Sequence, residues 1–184
     1  MAEKDKVKKS VLLVVDAQVG VVAEAWDRER IVGNMVVAVE KARASGVPVI
    51  WVQHMSEELV RGEADWELVA GLAVAEGERR IDKMFNSSFE ETPLAGMLTE
   101  LGVNHIVLAG AATNWCIRAT AYGALERGYD VTLVKDGHTT DTIELENGLK
   151  IEAEQMIHDL NIAMKWLAYA QRVNDAVGVA ELQF

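Results

Sequence analysis

Short apolar runs rich in Val and Ile alternate along the chain with longer stretches in which apolar positions recur every three or four residues. Val11–Val15 (VLLVV) has no polar alternation and predicts a strand buried on both faces. In Ile31–Ala44 the residues Ile31, Met35, Val36, Val39 and Ala42 form a helical stripe that stops at Gly46. Val49–Val52 predicts a second strand, and the more polar Arg79–Met84 a third. Thr92–Leu101 reads as a helix ended by Gly102, followed by a fourth strand at His105–Gly110. Cys116–Arg127 reads as a helix closed by Gly128, and Val131–Lys135 as a fifth strand. Leu149–Val173 keeps a helical period, and Val177–Leu182 fits a short last strand. Between them His54–Glu78 is the longest stretch without a period, helical at most in Trp66–Leu72. A loop of that length is expected to cover a functional site.

Strands alternating with helices imply βαβ units, right-handed crossovers and a mainly parallel sheet. The expected fold class is therefore α/β, a single-domain three-layer α/β/α arrangement over residues 1–184, with residues 1–9 as a flexible N-terminal segment. Sheets of this kind bind ligands beyond the carboxyl ends of their strands.

Composition narrows the functions. The net charge of −11 repels phosphate backbones and anionic lipid, so neither nucleic acid nor a membrane surface is an expected partner. The start, MAEKDKVKKS, is charged, and the apolar runs Val11–Val15 and Ile106–Ala112 fall far short of the ~20 residues that cross a bilayer. A cytoplasmic protein is the expectation. The single cysteine, Cys116, cannot form an internal disulfide or by itself a thiolate metal site. It is either a small buried hydrophobe or a nucleophile.

The ends of the predicted strands carry the candidate chemistry. Asp16 follows the first, with Gln18 two residues on; Gln53 and His54 follow the second; Lys83 ends the third. The loop Gly110–Trp115 and Cys116 follow the fourth, and Asp136 and His138 the fifth. An acid, a lysine and the only cysteine thus share one rim. A lysine ammonium and the first turn of a helix would both lower a thiol pKa from its ordinary ~8.5. Asp16 would take the thiol proton and pass it to a leaving group, while Lys83 compensates both charges. Backbone N–H groups at the end of Gly110–Cys116 would form an oxyanion hole. Taken singly, each residue also has a structural reading: a buried thiol, a turn cap, a solvated lysine.

The segments VVDAQ, K-x-x-x-S-x-F at Lys83–Phe89 and GAATNWCIRATAYGALERGYDVTLVKDGHTT resemble the isochorismatase-like cysteine hydrolases, from about Val11 to Asp141 and more loosely beyond. The resemblance implies their α/β fold and an Asp–Lys–Cys triad carried by Asp16, Lys83 and Cys116. It implies cleavage of amide, carbamoyl or related C–N bonds of a small-molecule substrate through a thioester on Cys116. It further implies a cis peptide at Ala111–Ala112, aiming the Ala112 N–H with that of Cys116 at the oxyanion, and a homo-oligomer, dimer or tetramer.

Gln18, His54, Phe89 and Trp115 are the candidate substrate-binding residues. Gln18 serves equally to bond backbone, and Phe89 and Trp26 fit either the pocket mouth or the core. His138 reads as a stabiliser of its loop. Nicotinamidases of the family carry Asp-x-His after the second strand to bind a metal. Here that stretch is Val52-Gln53-His54-Met55, so no metal and no other cofactor is expected. Two alternatives stay open: isochorismate-type vinyl-ether hydrolysis with Asp16 as acid, and a catalytically silent binding protein of the same fold.

Overall fold

The structure is a computed structural model in which residues 8–184 are described. The chain runs β1 (Ser10–Val15), α1 (Arg28–Ala44), β2 (Val49–His54), β3 (Arg79–Lys83), α2 (Leu94–Glu100), β4 (His105–Ala111), α3 (Arg118–Glu126), β5 (Asp130–Thr139), β6 (Ile143–Glu144), β7 (Lys150–Ile151), α4 (Ala153–Trp166) and β8 (Asn174–Val177). Six strands form one sheet in the order β3-β2-β1-β4-β5-β8, every pair parallel. Chain order reverses between β1 and β4, which places the crevice of an open α/β sheet beyond their carboxyl ends. Expected residues 1–7 of the N-terminal segment lie outside the described residues. Lys9 is tied down, its N–H donating to Asn104 Oδ1 at 2.8 Å.

Both sheet faces are dry, as the unbroken apolar runs require. Leu12, Val14 and Trp51 pack under Ile31, Met35 and Val39 of α1. Leu13, Val15 and Ile50 face Leu94 and Leu98 of α2 and Ala121 and Leu125 of α3. Each fully buried Leu or Val is worth about 1.5–3 kcal/mol, so these two layers hold the sheet flat against its helices.

Several elements depart from the pattern-based expectation. The last helix is shorter, Ala153–Trp166, because Asn147-Gly148 forms a turn between β6 and β7 with Gly148 in the left-handed region. Its Ile157, Leu160 and Met164 are buried while Ile162 and Trp166 face out. The last strand is Asn174–Val177, and Val179 and Leu182 instead turn into the α1 side of the core. Lys41 of α1 holds that segment, donating to the carbonyls of Val179, Ala180 and Leu182. β5 continues four residues beyond Lys135, crossing a bulge opposite Leu108–Gly110. Trp66–Leu72 is not helical: Ala64–Trp66 makes one 3₁₀ turn, and Leu68 bridges to Gln18. No helix among the described residues is long and apolar enough to cross a membrane.

One glycine shapes the crevice. Gly110 pairs with Val15 at φ +130°, and a Cβ there would sit 1.9 Å from the Val15 carbonyl oxygen. Only glycine lets β4 approach the end of β1 this closely.

Candidate active site

Three strand ends deliver three side chains to one point. Asp16 leaves β1 in a left-handed conformation, φ 50°, a strain a non-glycine residue holds only where its surroundings enforce it. Lys83 is the last residue of β3. Cys116 stands in a π-helical turn, Thr113–Ile117, inserted between β4 and α3. It therefore lies just before α3, whose first residue is Arg118, and not in the first turn of a regular helix.

The ammonium of Lys83 is the hub. It donates to Asp16 Oδ2 at 2.6 Å, to the Cys116 sulfur at 3.2 Å and to His54 Nδ1 at 3.3 Å. All three of its N–H groups are thereby used. A Nδ1 that accepts from an ammonium places the ring proton of His54 on Nε2. Burial, then the Lys83 charge, holds the His54 pKa below its ordinary value, which keeps the ring neutral.

With Oδ2 bound to Lys83, Asp16 Oδ1 is buried and has no hydrogen-bond partner among the described residues. A carboxylate oxygen of Asp16 lies within 4.8 Å of the Cys116 sulfur. Burial raises the Asp16 pKa, against the opposing pull of Lys83. The Cys116 thiol is pushed up to about 12, first by burial and then by the Asp16 charge, with Lys83 working the other way. This corrects the expectation of a lowered thiol pKa. The sulfur, on a residue 8% exposed, faces the carboxylate as well as the ammonium. Its resting form is the thiol, beside a buried base with a free lone pair.

The remaining predicted residues separate. His54 joins the trio. Trp115, 55% exposed, stands at the open rim beside Cys116. Gln18 is fully buried with its amide committed to backbone: Nε2 donates to the His54 and Trp66 carbonyls, and Oε1 accepts from the His54 N–H. It pins the His54–Glu78 segment to the rim, helped by Gln53, whose Nε2 also donates to Trp66 O. Phe89 is not brought to the trio; its ring stacks on Tyr129 at 6.1 Å beneath Arg127, at the far end of α3. Trp26 lines a cavity of about 420 Å³ between α1 and α4. The Ala111–Ala112 peptide bond is cis.

Asn86, not singled out from the sequence, places Oδ1 4.0 Å from the Cys116 sulfur. Its position three residues after Lys83 was the available signal. Met84 and Phe85 just before it are exposed.

Asp16, His54 and Cys116 each place one ligand atom within 4.8 Å of the others, a spread that suits a metal ion. Lys83 donates to all three of these residues. A fixed ammonium already neutralises the set, so these residues do not fit a divalent cation while Lys83 holds its place.

Comparison with known proteins gives a consistent picture. The family model of the isochorismatase domain matches residues 10–157. A streptothricin hydrolase of Streptomyces noursei is 33% identical over 148 residues, covering 75% of this chain and 57% of that protein. A maleamate amidohydrolase of Pseudomonas putida is 33% identical over 89 residues, 47% of this chain and 42% of that protein. Thus the chain spans little more than half of the first and less than half of the second. Among solved structures, an isochorismatase from Pseudomonas putida KT2440 superposes with a TM-score of 0.84 at 26% identity, covering 98% of this chain and 94% of that one.

Proposed function

We propose that this chain, which belongs to the isochorismatase family, is a cysteine hydrolase cleaving a C–N acyl bond, amide or carbamoyl, of a small molecule. The observation that carries the reading is the ammonium of Lys83 bonded at once to Asp16 and Cys116, 2.6 and 3.2 Å away. The name of one relative, maleamate amidohydrolase, supports the bond class, and that of another, streptothricin hydrolase, supports hydrolysis of a small molecule.

Cys116 attacks the carbonyl carbon as its thiol proton passes to Asp16 Oδ1. The charge that develops on the carbonyl oxygen is held by the backbone N–H groups of Ala112 and Cys116. Asp16 returns the proton to the departing nitrogen as the C–N bond breaks, so the amine departs and the acyl group stays on Cys116 as a thioester. Water then attacks the thioester, Asp16 taking its proton and giving it back to the sulfur as the acid departs. Lys83 stays charged throughout and keeps Asp16 aimed. His54 and Trp115, with Asn86, bound the substrate side. An unpaired thiol at the centre suits the reducing cytoplasm. Exposed Ile162 and Trp166 on α4 suit a dimer or tetramer, which light scattering reads directly.

The test is a panel of small amides and ureido acids that includes maleamate and streptothricin. The wild type is expected to hydrolyse at least one, with Cys116→Ala and Asp16→Ala each lowering kcat by about 10³-fold or more. Turnover that survives Cys116→Ala and is lost in Asp16→Ala overturns the reading and favours acid-driven cleavage at Asp16.

A further inference from the structure

The geometry points to His138 as a positioning residue for the turn that carries Cys116, acting through Thr113. The inference rests on Cys116 being the nucleophile. His138 lies on the part of β5 beyond the bulge, paired with Gly110, and is fully buried. Its Nδ1 is 2.8 Å from Thr113 Oγ1, and its Nε2 is 3.1 Å from Asn161 Oδ1 on α4.

Every proton in this chain has one place. Asn161 Nδ2 donates to the Lys135 carbonyl at 2.9 Å, so its Oδ1 faces the ring as an acceptor. The ring therefore carries its proton on Nε2 and offers Nδ1 as acceptor, which the Thr113 hydroxyl fills. Thr113 opens the π turn, and Cys116 follows three residues later. On the next residue, Thr140 Oγ1 donates to Asn114 Oδ1 at 2.6 Å. His138 on β5 and Thr140 just past its end thus clamp the first two residues of a rare turn type. Without the clamp the sulfur is free to drift from Lys83 and Asp16, and a misplacement of about 1 Å is enough to cost ~10²-fold in rate.

The test uses the full-length chain and p-nitrophenyl acetate. Attack by the Cys116 sulfur, its proton passing to Asp16, forms an S-acetyl thioester and releases p-nitrophenolate, and peptide mapping against a Cys116→Ala control assigns the adduct to the one cysteine. Thr113→Val is expected to slow acetylation by about 10–100-fold. Thr113→Ser is expected to restore most of the rate, and Asn161→Ala to slow it several-fold. Thermal midpoints are followed in parallel. A merely structural role would lower the midpoint and leave the acetylation rate of the folded variant unchanged. Wild-type rates in folded Thr113→Val and Asn161→Ala overturn the inference alone. A wild type that is not acetylated on Cys116 overturns the nucleophile reading and this inference with it. Should Thr113→Val not fold, Asn161→Ala, at the wall of the α1–α4 cavity, decides.

Discussion

Lys83 Nζ and Asp16 Oδ2 stand 2.6 Å apart with side chains 0% and 1% exposed, an ion pair wholly inside the protein. Such a pair gains little net stability, because desolvation offsets most of the attraction. Losing one partner is another matter, since it leaves a bare charge in an apolar setting. Lys83→Met is expected to cost about 3–5 kcal/mol in urea unfolding. The double variant Lys83→Met/Asp16→Asn is expected to recover a large part of that loss. A double variant no more stable than the single one contradicts a pair whose charges matter to each other.

The thiol gives a prediction with opposite signs for the two partners. Asp16 raises the Cys116 pKa and Lys83 lowers it. Alkylation by iodoacetamide at fixed pH should therefore speed up in Asp16→Asn and slow down in Lys83→Met. On the proposed mechanism, amide hydrolysis is expected to fall in both. A slower-alkylating Asp16→Asn, read by intact mass, contradicts this electrostatic layout.

Two buried histidines set the acid limit of stability. Burial holds His138 down to about 4, and burial with the Lys8 charge holds His105 to about 3. Both are neutral in the fold and hold hydrogen-bonded hydroxyls, Ser10 and Thr132 in the case of His105. Their folded values lie below the unfolded 6.5, so the unfolded chain binds more protons in between. Stability is fully present above pH 6.5 and declines as pH falls toward 4 and then 3. Chemical unfolding of wild type and His105→Gln across this range checks it. The variant is expected to show a shallower decline.

Gly110 and Gly33 form an internal control. Gly110→Ala would force a Cβ to 1.9 Å from the Val15 carbonyl oxygen at φ +130°, and it is expected to yield little folded protein. Gly33 sits exposed inside α1 with nothing within 4 Å of its Cβ position. Gly33→Ala is expected to stabilise by about 0.5–1 kcal/mol. Thermal melts of the two separate a steric requirement from mere tolerance of glycine.

The layered sheet was legible because its strands are apolar runs that stop abruptly at the candidate site residues. VLLVV ends at Asp16, and the β4 run leads within six residues to Cys116. What periodicity could not show is polarity placed inside a long strand. KDGHT reads as a loop, yet β5 carries it across a bulge, where His138 and Thr139 are buried. The direction of the thiol shift was hidden for a related reason. A lysine nearby argues for a thiolate, and only the structure reveals the burial and the facing carboxylate that outweigh it. Gln18 illustrates the reverse error: an amide at a strand end suggests a ligand contact, while its donors are taken by backbone carbonyls.

The most direct measurement is quenched-flow mass spectrometry of the full chain during turnover of an amide that it hydrolyses. The account predicts a transient mass increase equal to the acyl group, mapped to the peptide containing Cys116 and missing in Cys116→Ser. Steady turnover in the wild type with no adduct at any time, and with the rate retained in Cys116→Ser, would contradict it.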